Sequence, residues 1–253
     1  MNYSVNALVL KVQPFRSSDR ICTLLTDRLG IVRAFARGAA NIKNKNFGST
    51  AQFVYGRFEL YSTKDSYRID EAAHEQLFVP LRNDLQRLAL AQYLCELTIE
   101  LLPAGTSSEE HLALTLSALS HLASGDRPCA MVKAVYEMRI LALSGFLPDL
   151  VMCAGCGVYE AEQMYFSPTR SEIFCADCRT AQSVLNVLPL GKGALHALRH
   201  SVYADLPKVF AFSLQEQSLT QFARAAERYT LLCTDRSFPT LEFYRSMSGQ
   251  GNL

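Results

Sequence analysis

The stretch Cys153-Ala154-Gly155-Cys156 is followed, after eighteen intervening residues, by Cys175-Ala176-Asp177-Cys178. Two Cys-x-x-Cys pairs at this separation are typical of a zinc site. Zn²⁺ takes four ligands tetrahedrally, and two residues between cysteines let one tight turn aim both sulfurs at one ion. Because four thiolates leave no open position for a substrate, the pattern predicts a single structural Zn²⁺ ion. Its predicted ligands are Cys153, Cys156, Cys175 and Cys178.

Two other interpretations of these cysteines stay open, namely a pair of disulfides and four unrelated buried thiols. Disulfides need an oxidising compartment, and nothing in the sequence suggests export. Residues 165–168 and 173–174, between the pairs, have extended character, so a small zinc ribbon is predicted over 151–180. The other cysteines share no spacing and are expected to be small buried hydrophobes; they are Cys22, Cys95, Cys129 and Cys233.

The charge of the chain is unevenly distributed. The net charge is +1, but residues 1–57 hold nine Lys or Arg against two Asp, a net of +7, which leaves −6 for the remainder. Such asymmetry points to an N-terminal domain that binds a polyanion. The sequence shows neither a signal peptide nor an apolar run long enough to cross a membrane. It therefore predicts a cytoplasmic protein without a membrane partner.

The first 80 residues have the pattern of a small barrel. Five short runs are rich in strand formers, and turn residues separate them, as in 26–30 and 63–66. Five strands without a helix among them favour a closed barrel, and we expect an OB-fold rather than an SH3-like barrel. The predicted strands cover residues 4–12, 20–26, 31–37, 52–61 and 67–73.

The outward faces of the third and fourth strands interleave arginines with aromatic residues. Because side chains alternate along a strand, Val32 and its small neighbours face the barrel interior, while Arg33 and Phe35 face outward. Single-stranded nucleic acid is held by this combination, with bases stacked on rings and cations along the phosphates. A solvated arginine face, or aromatics packed in a core, is the alternative. The candidate contacts are Arg16, Arg20, Arg33, Phe35, Arg37, Lys43, Lys45, Tyr55 and Arg57.

The segment 38–50 is polar and rich in Gly, Asn and Ser, which indicates a mobile loop. Its Lys43 and Lys45, together with Phe47, could close over a bound strand. A solvated connector is the alternative interpretation, and the role of this loop stays open.

After Pro80 the composition becomes helical. Helices are predicted over 81–102, over 107–124 with a capping box from Ser107 to Glu110, from about 128, over 190–203 and over 214–234. The fold class is therefore α+β: a five-stranded OB-fold barrel (1–80), then an α-helical domain in two parts (81–150 and 181–247). The four-cysteine zinc ribbon (151–180) is inserted between those parts, and a disordered tail covers 248–253.

No enzymatic motif is present. The chain lacks a Walker loop, a dinucleotide-binding glycine motif and a nucleophile elbow. His196 and His200 lie four apart on a predicted helix but lack the adjacent Glu of a zinc protease. The sequence therefore predicts a protein that is not an enzyme and takes no small-molecule substrate. A zinc-ribbon scaffold or regulatory protein is the alternative function, and a metal-dependent hydrolase would need an open zinc position.

Three segments of the chain carry a resemblance to a known family. Residues 7–39 are similar to its opening strands, Tyr136 to Leu150 to its helix before the zinc knuckle, and Tyr165-Phe166-Ser167-Pro168 to the segment before the third cysteine. The chain resembles the RecO family of bacterial DNA repair proteins, which are recombination mediators. It departs from many members at Arg170-Ser171-Glu172, where they have paired glycines, and in a less cationic loop after Gly38.

The resemblance implies an OB-fold, a helical domain and a zinc finger. It also implies binding of single- and double-stranded DNA and annealing of complementary strands. The implied partners are RecR and the single-strand-binding protein SSB, and the implied outcome is loading of RecA onto SSB-coated DNA. The residues that contact RecR or SSB, the oligomeric state, and whether the ribbon touches DNA or a partner stay open.

Overall fold

The computed structural model describes residues 1–62, 66–102, 105 and 108–247. Most of the predicted turn at 63–66, Ser107 of the predicted capping box, and the predicted disordered tail at 248–253 lie outside the described residues. The chain divides into two compact units, Met1–Ser124 and Gly125–Leu253. Among the described helices, none is long and apolar enough to cross a membrane.

The first unit begins with a closed five-stranded barrel. Its strands are β1 (Asn2–Phe15), β2 (Asp19–Thr26), β3 (Ile31–Ala36), β4 (Tyr55–Ser62) and β5 (Tyr67–Gln76). Their order around the barrel is β1-β2-β3-β5-β4, with antiparallel neighbours except for the short parallel pairing of β3 with β5. This arrangement confirms the predicted five-stranded OB-fold barrel.

The barrel interior is filled by the alternate residues of each strand. Val32, Ala34 and Ala36 of β3 are buried, as their alternation predicted, and Phe58 and Leu60 of β4 pack in the same core. A β-bulge where β4 begins brings Gly56 very close to β5. A Cβ atom on Gly56 would lie 2.1 Å from the Ala73 carbonyl oxygen, so only glycine fits there.

Residues 37–54 differ from the mobile loop that their composition indicates. The Asp19 carboxylate accepts a hydrogen bond from the Gly38 backbone N–H at 2.8 Å. The buried Asn46 side chain accepts one from the Ala72 backbone N–H at 3.1 Å, and the Asn46 carbonyl accepts one from the Thr50 hydroxyl at 2.7 Å. The Asn46 side chain therefore makes a hydrogen bond to β5 of the kind that a neighbouring strand would otherwise make. The segment is folded onto the barrel.

Two helices complete the first unit: α1 (Leu85–Leu101) and α2 (Glu109–Ser124). A short 3-10 turn (Val79–Asn83) precedes α1, and the Asp84 carboxylate caps α1 by accepting from the Arg87 backbone N–H at 3.0 Å. Just before α2, the buried Ser108 hydroxyl donates to the Thr26 carbonyl oxygen at 2.6 Å. This bond fixes the start of α2 at the end of β2.

The second unit combines helices with a small sheet. Its elements are α3 (Cys129–Leu143), β6 (Asp149–Cys153), β7 (Met164–Ser167), β8 (Glu172–Cys175), α4 (Ala176–Ala181), β9 (Leu188–Leu190), α5 (Lys192–Tyr203), α6 (Glu216–Thr234) and α7 (Pro239–Met247). The strands form a sheet in the order β6-β8-β7-β9. α3, α5 and α6 pack on one another, and α3 is buried along almost its whole length.

The predicted helices and ribbon strands appear close to their expected positions, and α4, β6, β9 and α7 are additional. The boundary between the two units, at 124 and 125, lies inside the segment 81–150 that the sequence assigned to the first part of one helical domain. The division into domains at 80, 150 and 180 stays a prediction.

Candidate metal centre and nucleic-acid interface

The structure brings the four predicted zinc ligands together. The sulfur atoms of Cys153, Cys156, Cys175 and Cys178 all lie within 4.8 Å of one another. Cys153 and Cys175 are buried, whereas Cys156 is exposed at the surface. Four sulfurs in so small a space can surround one metal ion with no position left for a substrate. Within the described residues, no other group of three or more His, Cys, Asp or Glu side chains gathers in this way.

Local backbone geometry explains how the sulfurs converge. Cys153 ends β6, and Cys175 ends β8 and caps α4, with its sulfur accepting from the Cys178 backbone N–H at 3.5 Å. Between the first pair, a Cβ atom on Gly155 would lie 2.7 Å from both Cβ and Sγ of Cys178. Glycine at this position therefore allows the turn and α4 to approach closely enough for all four sulfurs to meet.

The pKa values of two thiols in the cluster are shifted in opposite directions. Burial disfavours ionisation of Cys153, but hydrogen bonds from the backbone N–H groups of Cys175, Cys156 and Gly155 outweigh it and lower its pKa to about 6. The neighbouring Cys156 and Cys175 raise the pKa of Cys178 to about 12. A thiolate at Cys178 is therefore opposed beside the thiolate favoured at Cys153, and a bound cation would offset that opposition.

The predicted nucleic-acid contacts of β3 gather on one outward face of the barrel. The Phe35 ring lies edge-on to Phe15, with centroids 5.4 Å apart, and the Arg16 guanidinium lies 5.2 Å from the Phe15 centroid. Arg33 is exposed and donates to the Gln13 side chain at 3.4 Å. Two rings with cations beside them make a platform on which a base can stack.

Two more cations stand near this platform. Arg37 is exposed just after β3, and its guanidinium has no hydrogen bond or ion pair within the described part of the chain. Lys11, which the sequence analysis did not single out, is exposed on β1 in the same cross-strand row as Arg33, through Thr23 of β2. Alternation along β1 would not have found Lys11, because Val5, Ala7 and Val9 have the same parity and face the core. A register shift between Val9 and Lys11 turns the lysine outward.

Other predicted contacts have protein partners instead. Arg20 donates to the Phe47 carbonyl at 2.9 Å and lies 4.7 Å from the Phe47 ring centroid, so it holds the 37–54 segment. Arg57 is 3.6 Å from the Glu59 carboxylate, and Lys45 is 3.3 Å from Glu71. The positive charges of Arg57 and Lys45 are therefore already partly neutralised by carboxylates of the protein itself.

The two remaining candidates lie apart from the platform. Tyr55 is half-buried on β4, and burial together with the charges of Glu75 and Asp27 raises its pKa. Lys43 is exposed in the folded 37–54 segment, and its ammonium has no partner among the described residues. Of the nine predicted contacts, Arg16 and Phe35 are joined through the Phe15 ring, and Arg33 and Arg37 are exposed on and just after the same strand as Phe35. That these residues contact nucleic acid stays a prediction.

Family models match both the segment that forms the barrel and the segment that holds the cysteine cluster. A family model described as Recombination protein O N terminal matches residues 1–78, and one described as Recombination protein O C terminal matches residues 82–241. The chain belongs to the Recombination protein O family. The RecO family therefore assigns this chain a role in DNA repair and recombination.

Individual members of the RecO family match along most of their length. The chain is 30% identical to the DNA repair protein RecO of Symbiobacterium thermophilum over 95% of this chain and 96% of that protein. It is 27% identical to the DNA repair protein RecO of Acetivibrio thermocellus over 98% of each. It is 36% identical to that of Desulforudis audaxviator over 70% of each.

Proposed function

We propose that the chain anneals complementary DNA strands and, with RecR, helps to load RecA onto SSB-coated DNA. Membership of the RecO family supports the recombination role. The observation that carries the DNA-binding part is the barrel face where Phe35 and Phe15 stand beside Arg16, Arg33 and Arg37. We place this activity in the cytoplasm, at the nucleoid.

Annealing requires that two polyanions approach, and it needs no bond chemistry. Arginines on the barrel face would neutralise phosphates and release counterions, so the affinity would fall as salt rises. Stacking on Phe35 would keep bases splayed without reading their sequence. The protein would therefore act without catalysing a covalent step, on single- and double-stranded DNA alike.

Removal of two cations from the barrel face tests this proposal. We expect the Arg33→Ala/Arg37→Ala variant to bind a thymidine oligomer more weakly at every salt concentration. Because each lost phosphate contact removes about 0.7 from the slope of log affinity against log salt for a single strand, the slope should become shallower by about 1.4. Fluorescence anisotropy over a salt series measures both quantities, and strand annealing should slow in parallel.

The matched control is Arg68→Ala, in the same barrel. Arg68 lies 2.7 Å from the Asp70 carboxylate, whose hydrogen bond raises the arginine pKa, so its charge is already neutralised. The Arg68→Ala variant should therefore show the same slope of log affinity against log salt as the original chain. An unaltered slope in the double variant would remove the β3 face from the DNA footprint.

The cysteine cluster is proposed to hold one structural Zn²⁺ ion. The donor set supports this choice, because four thiolates in tetrahedral reach suit zinc. When bound, the ion would supply charge neutralisation and a cross-link between β6, β8 and α4. The four cysteines would bind it, and the backbone N–H groups around Cys153 would stabilise its thiolate.

RecR and SSB are the proposed protein partners, with RecA engaged indirectly. We expect SSB recognition to use a basic, apolar groove. A cavity of about 560 Å³ in the second unit fits that description, since Arg224 and Arg228 lie one turn apart on α6 beside Leu219 and Leu231. If annealing assays showed no activity, a scaffold role through protein contacts would replace the mediator proposal.

A further inference from the structure

One buried arginine of α5 has no counter-charge. Arg199 is 8% exposed, and no carboxylate pairs with it in the part of the chain that the structure describes. Its Nη1 atom has no hydrogen-bond partner there. A buried charge is unfavourable unless hydrogen bonds replace the water that it loses. An apolar residue of similar length would avoid this cost, so the arginine must contribute something else.

The hydrogen bonds of Arg199 all go to the segment 150–159, which contains the first cysteine pair. Its Nε donates to the Leu150 carbonyl oxygen at 2.7 Å, and its Nη2 donates to the Val151 carbonyl oxygen at 2.9 Å. Nη2 also donates to the Tyr159 carbonyl oxygen at 2.5 Å, and the guanidinium lies 3.9 Å from the centroid of the Tyr159 ring. One side chain therefore holds the backbone on both sides of the first cysteine turn.

The turn itself is closed by two short backbone hydrogen bonds. The Cys153 N–H donates to the Val158 carbonyl oxygen, and the Gly157 N–H donates to the Cys153 carbonyl oxygen, both at 2.9 Å. Cys153 is also held by the pairing of β6 with β8, whereas Cys156 lies beyond the end of β6 and is exposed. The position of Cys156 therefore depends on how the limb that follows it, residues 157–160, is anchored.

Helix α5 contacts that limb at Glu160 and at Tyr159, and the two contacts differ in exposure. Glu160 lies 3.1 Å from Lys192 and 2.7 Å from His196, but these two partner side chains are 67% and 59% exposed. Exposed ion pairs contribute little to stability. Arg199 makes its hydrogen bonds in buried surroundings, where bonds from a charged donor are stronger. It is the buried one of the two tethers.

We propose that Arg199 is a positioning residue for the metal centre. From α5 it holds the first cysteine turn closed, so that Cys153 and Cys156 reach the same ion as the second pair. Groups beyond the ligands orient metal sites in this way, and their loss typically costs about 10- to 100-fold in metal affinity. This inference rests on the proposed Zn²⁺ site, and the DNA-binding proposal can fail without affecting it.

The full-length Arg199→Met variant tests the proposal, because it keeps a side chain of similar length and removes the guanidinium. We expect it to bind Zn²⁺ at least about tenfold more weakly than the original chain, as measured by competition with a chromophoric chelator. With Co²⁺ in place of Zn²⁺, the visible absorption bands of the bound ion report the arrangement of its ligands. These bands should change in the variant, whereas a role in general stability alone would leave them as they are.

The matched control is Arg139→Met. Arg139 of α3 also donates to a backbone carbonyl of α5, that of Val202, and it also has one buried nitrogen, Nε, without a partner in the described part of the chain. Its hydrogen bond does not reach the segment 150–159. This variant should lose stability as well, but its Zn²⁺ affinity should stay within about twofold and its Co²⁺ bands should match those of the original chain.

Tyr159→Ala gives a second test that leaves the buried residues in place. Tyr159 is 58% exposed, but its ring lies over the Arg199 guanidinium. Without the ring, water can compete for the guanidinium and loosen its bonds to the turn. Zn²⁺ binding should then weaken by about threefold, which is the size of a partly exposed cation–π contact.

The outcomes separate this inference from the proposed metal site. If the original chain binds neither Zn²⁺ nor Co²⁺, the metal site and this inference both fail. If the original chain binds one ion, the role of Arg199 alone is overturned by an unchanged affinity or unchanged Co²⁺ bands in Arg199→Met, or by an equal loss of affinity in Arg139→Met. If circular dichroism shows that Arg199→Met does not fold, Tyr159→Ala decides, and an unchanged Zn²⁺ affinity there overturns the proposal.

Discussion

Gly155 shows how much of the metal centre depends on one absent side chain. The backbone of the first cysteine turn passes so near α4 that a Cβ atom would lie 2.7 Å from Cβ and Sγ of Cys178. Real contacts of that kind do not occur, so either the turn or α4 must move. Since the four sulfurs must stay within tetrahedral reach of one ion, the displacement acts directly on metal binding.

We therefore expect Gly155→Ala to weaken Zn²⁺ binding by at least about tenfold, within the range that displaced metal surroundings cost. Competition with a chromophoric chelator measures the affinity. The matched control is Gly48→Ala in the first unit, where a Cβ atom would meet no heavy atom within 4 Å. Equal affinity of Gly155→Ala and the original chain would mean that the cluster tolerates a wider turn than the geometry indicates.

Single residues also show where sequence reasoning stops. The cysteines were predictable because their spacing is a local property of the chain. Arg20 was predicted as a phosphate contact from its charge, but its guanidinium lies on Phe47 and donates to the carbonyl of that residue. Phe47 is 27 positions from Arg20 in the sequence. No local sequence pattern predicts a contact at that separation. Arg33 and Arg37 differ from Arg20 only in what the fold places beside them.

At the scale of elements, strand alternation was sufficient to predict the barrel, and composition was insufficient to predict the 37–54 segment. Asn46 is paired with β5 through the Ala72 backbone N–H. An asparagine in a turn and an asparagine that replaces a strand partner look alike in sequence. The short α4 was missed for a related reason, because its first turn is defined by Cys175 acting as a cap.

Three helices of the second unit are joined by one carboxylate. Glu227 of α6 lies 2.7 Å from the Lys133 ammonium of α3 and 2.5 Å from the Arg245 guanidinium of α7. Lys133 is buried and also lies 2.8 Å from Glu137. Burial disfavours ionisation of Glu227, but Lys133 and Arg245 outweigh it and hold the pKa of the carboxyl below its ordinary value of 4.5.

The depressed pKa fixes the sign of a pH effect. Glu227 contributes stability above pH 4.5, and that contribution is lost as the pH falls through the lower pKa of the folded state. We expect Glu227→Gln to lower the free energy of unfolding by roughly 2 kcal/mol at pH 7, less than for a fully buried pair because the site is partly exposed. As the pH falls from 4.5 to the pKa of the folded state, the difference in unfolding free energy between the original chain and Glu227→Gln should decrease. Urea titrations at several pH values measure this.

Glu242→Gln on α7 is the matched control, since Glu242 is exposed. Its unfolding free energy should stay within about 0.5 kcal/mol of that of the original chain. A gap between Glu227→Gln and the original chain that stays constant as the pH falls would show that Glu227 acts through packing and not through its charge.

On the scale of the whole molecule, the excess of positive charge and the cysteine cluster lie in different units of the chain. The net of +7 in residues 1–57 lies in the barrel unit, while the cysteine-cluster segment 149–190 has a net of −3. Each unit also has its own buried apolar residues. The asymmetry was visible in the sequence, and the structure adds that exposed Lys11 and Arg33 lie in one cross-strand row of β1 to β3.

If the metal stabilises only its own unit, then loss of the metal should leave the barrel intact. We expect Cys175→Ala to lose bound Zn²⁺ and to speed amide hydrogen exchange in β6, β7 and β8, because metal binding and local folding are coupled. Exchange in β1 to β4 and affinity for a thymidine oligomer should stay within about twofold, since local opening follows cooperative units. Cys95→Ala, which alters a buried cysteine outside the cluster, should keep its metal. If Cys175→Ala stayed folded with unchanged amide hydrogen exchange, the ion would not be structural. If Cys175→Ala also lost affinity for the thymidine oligomer, the metal centre would contribute to DNA binding.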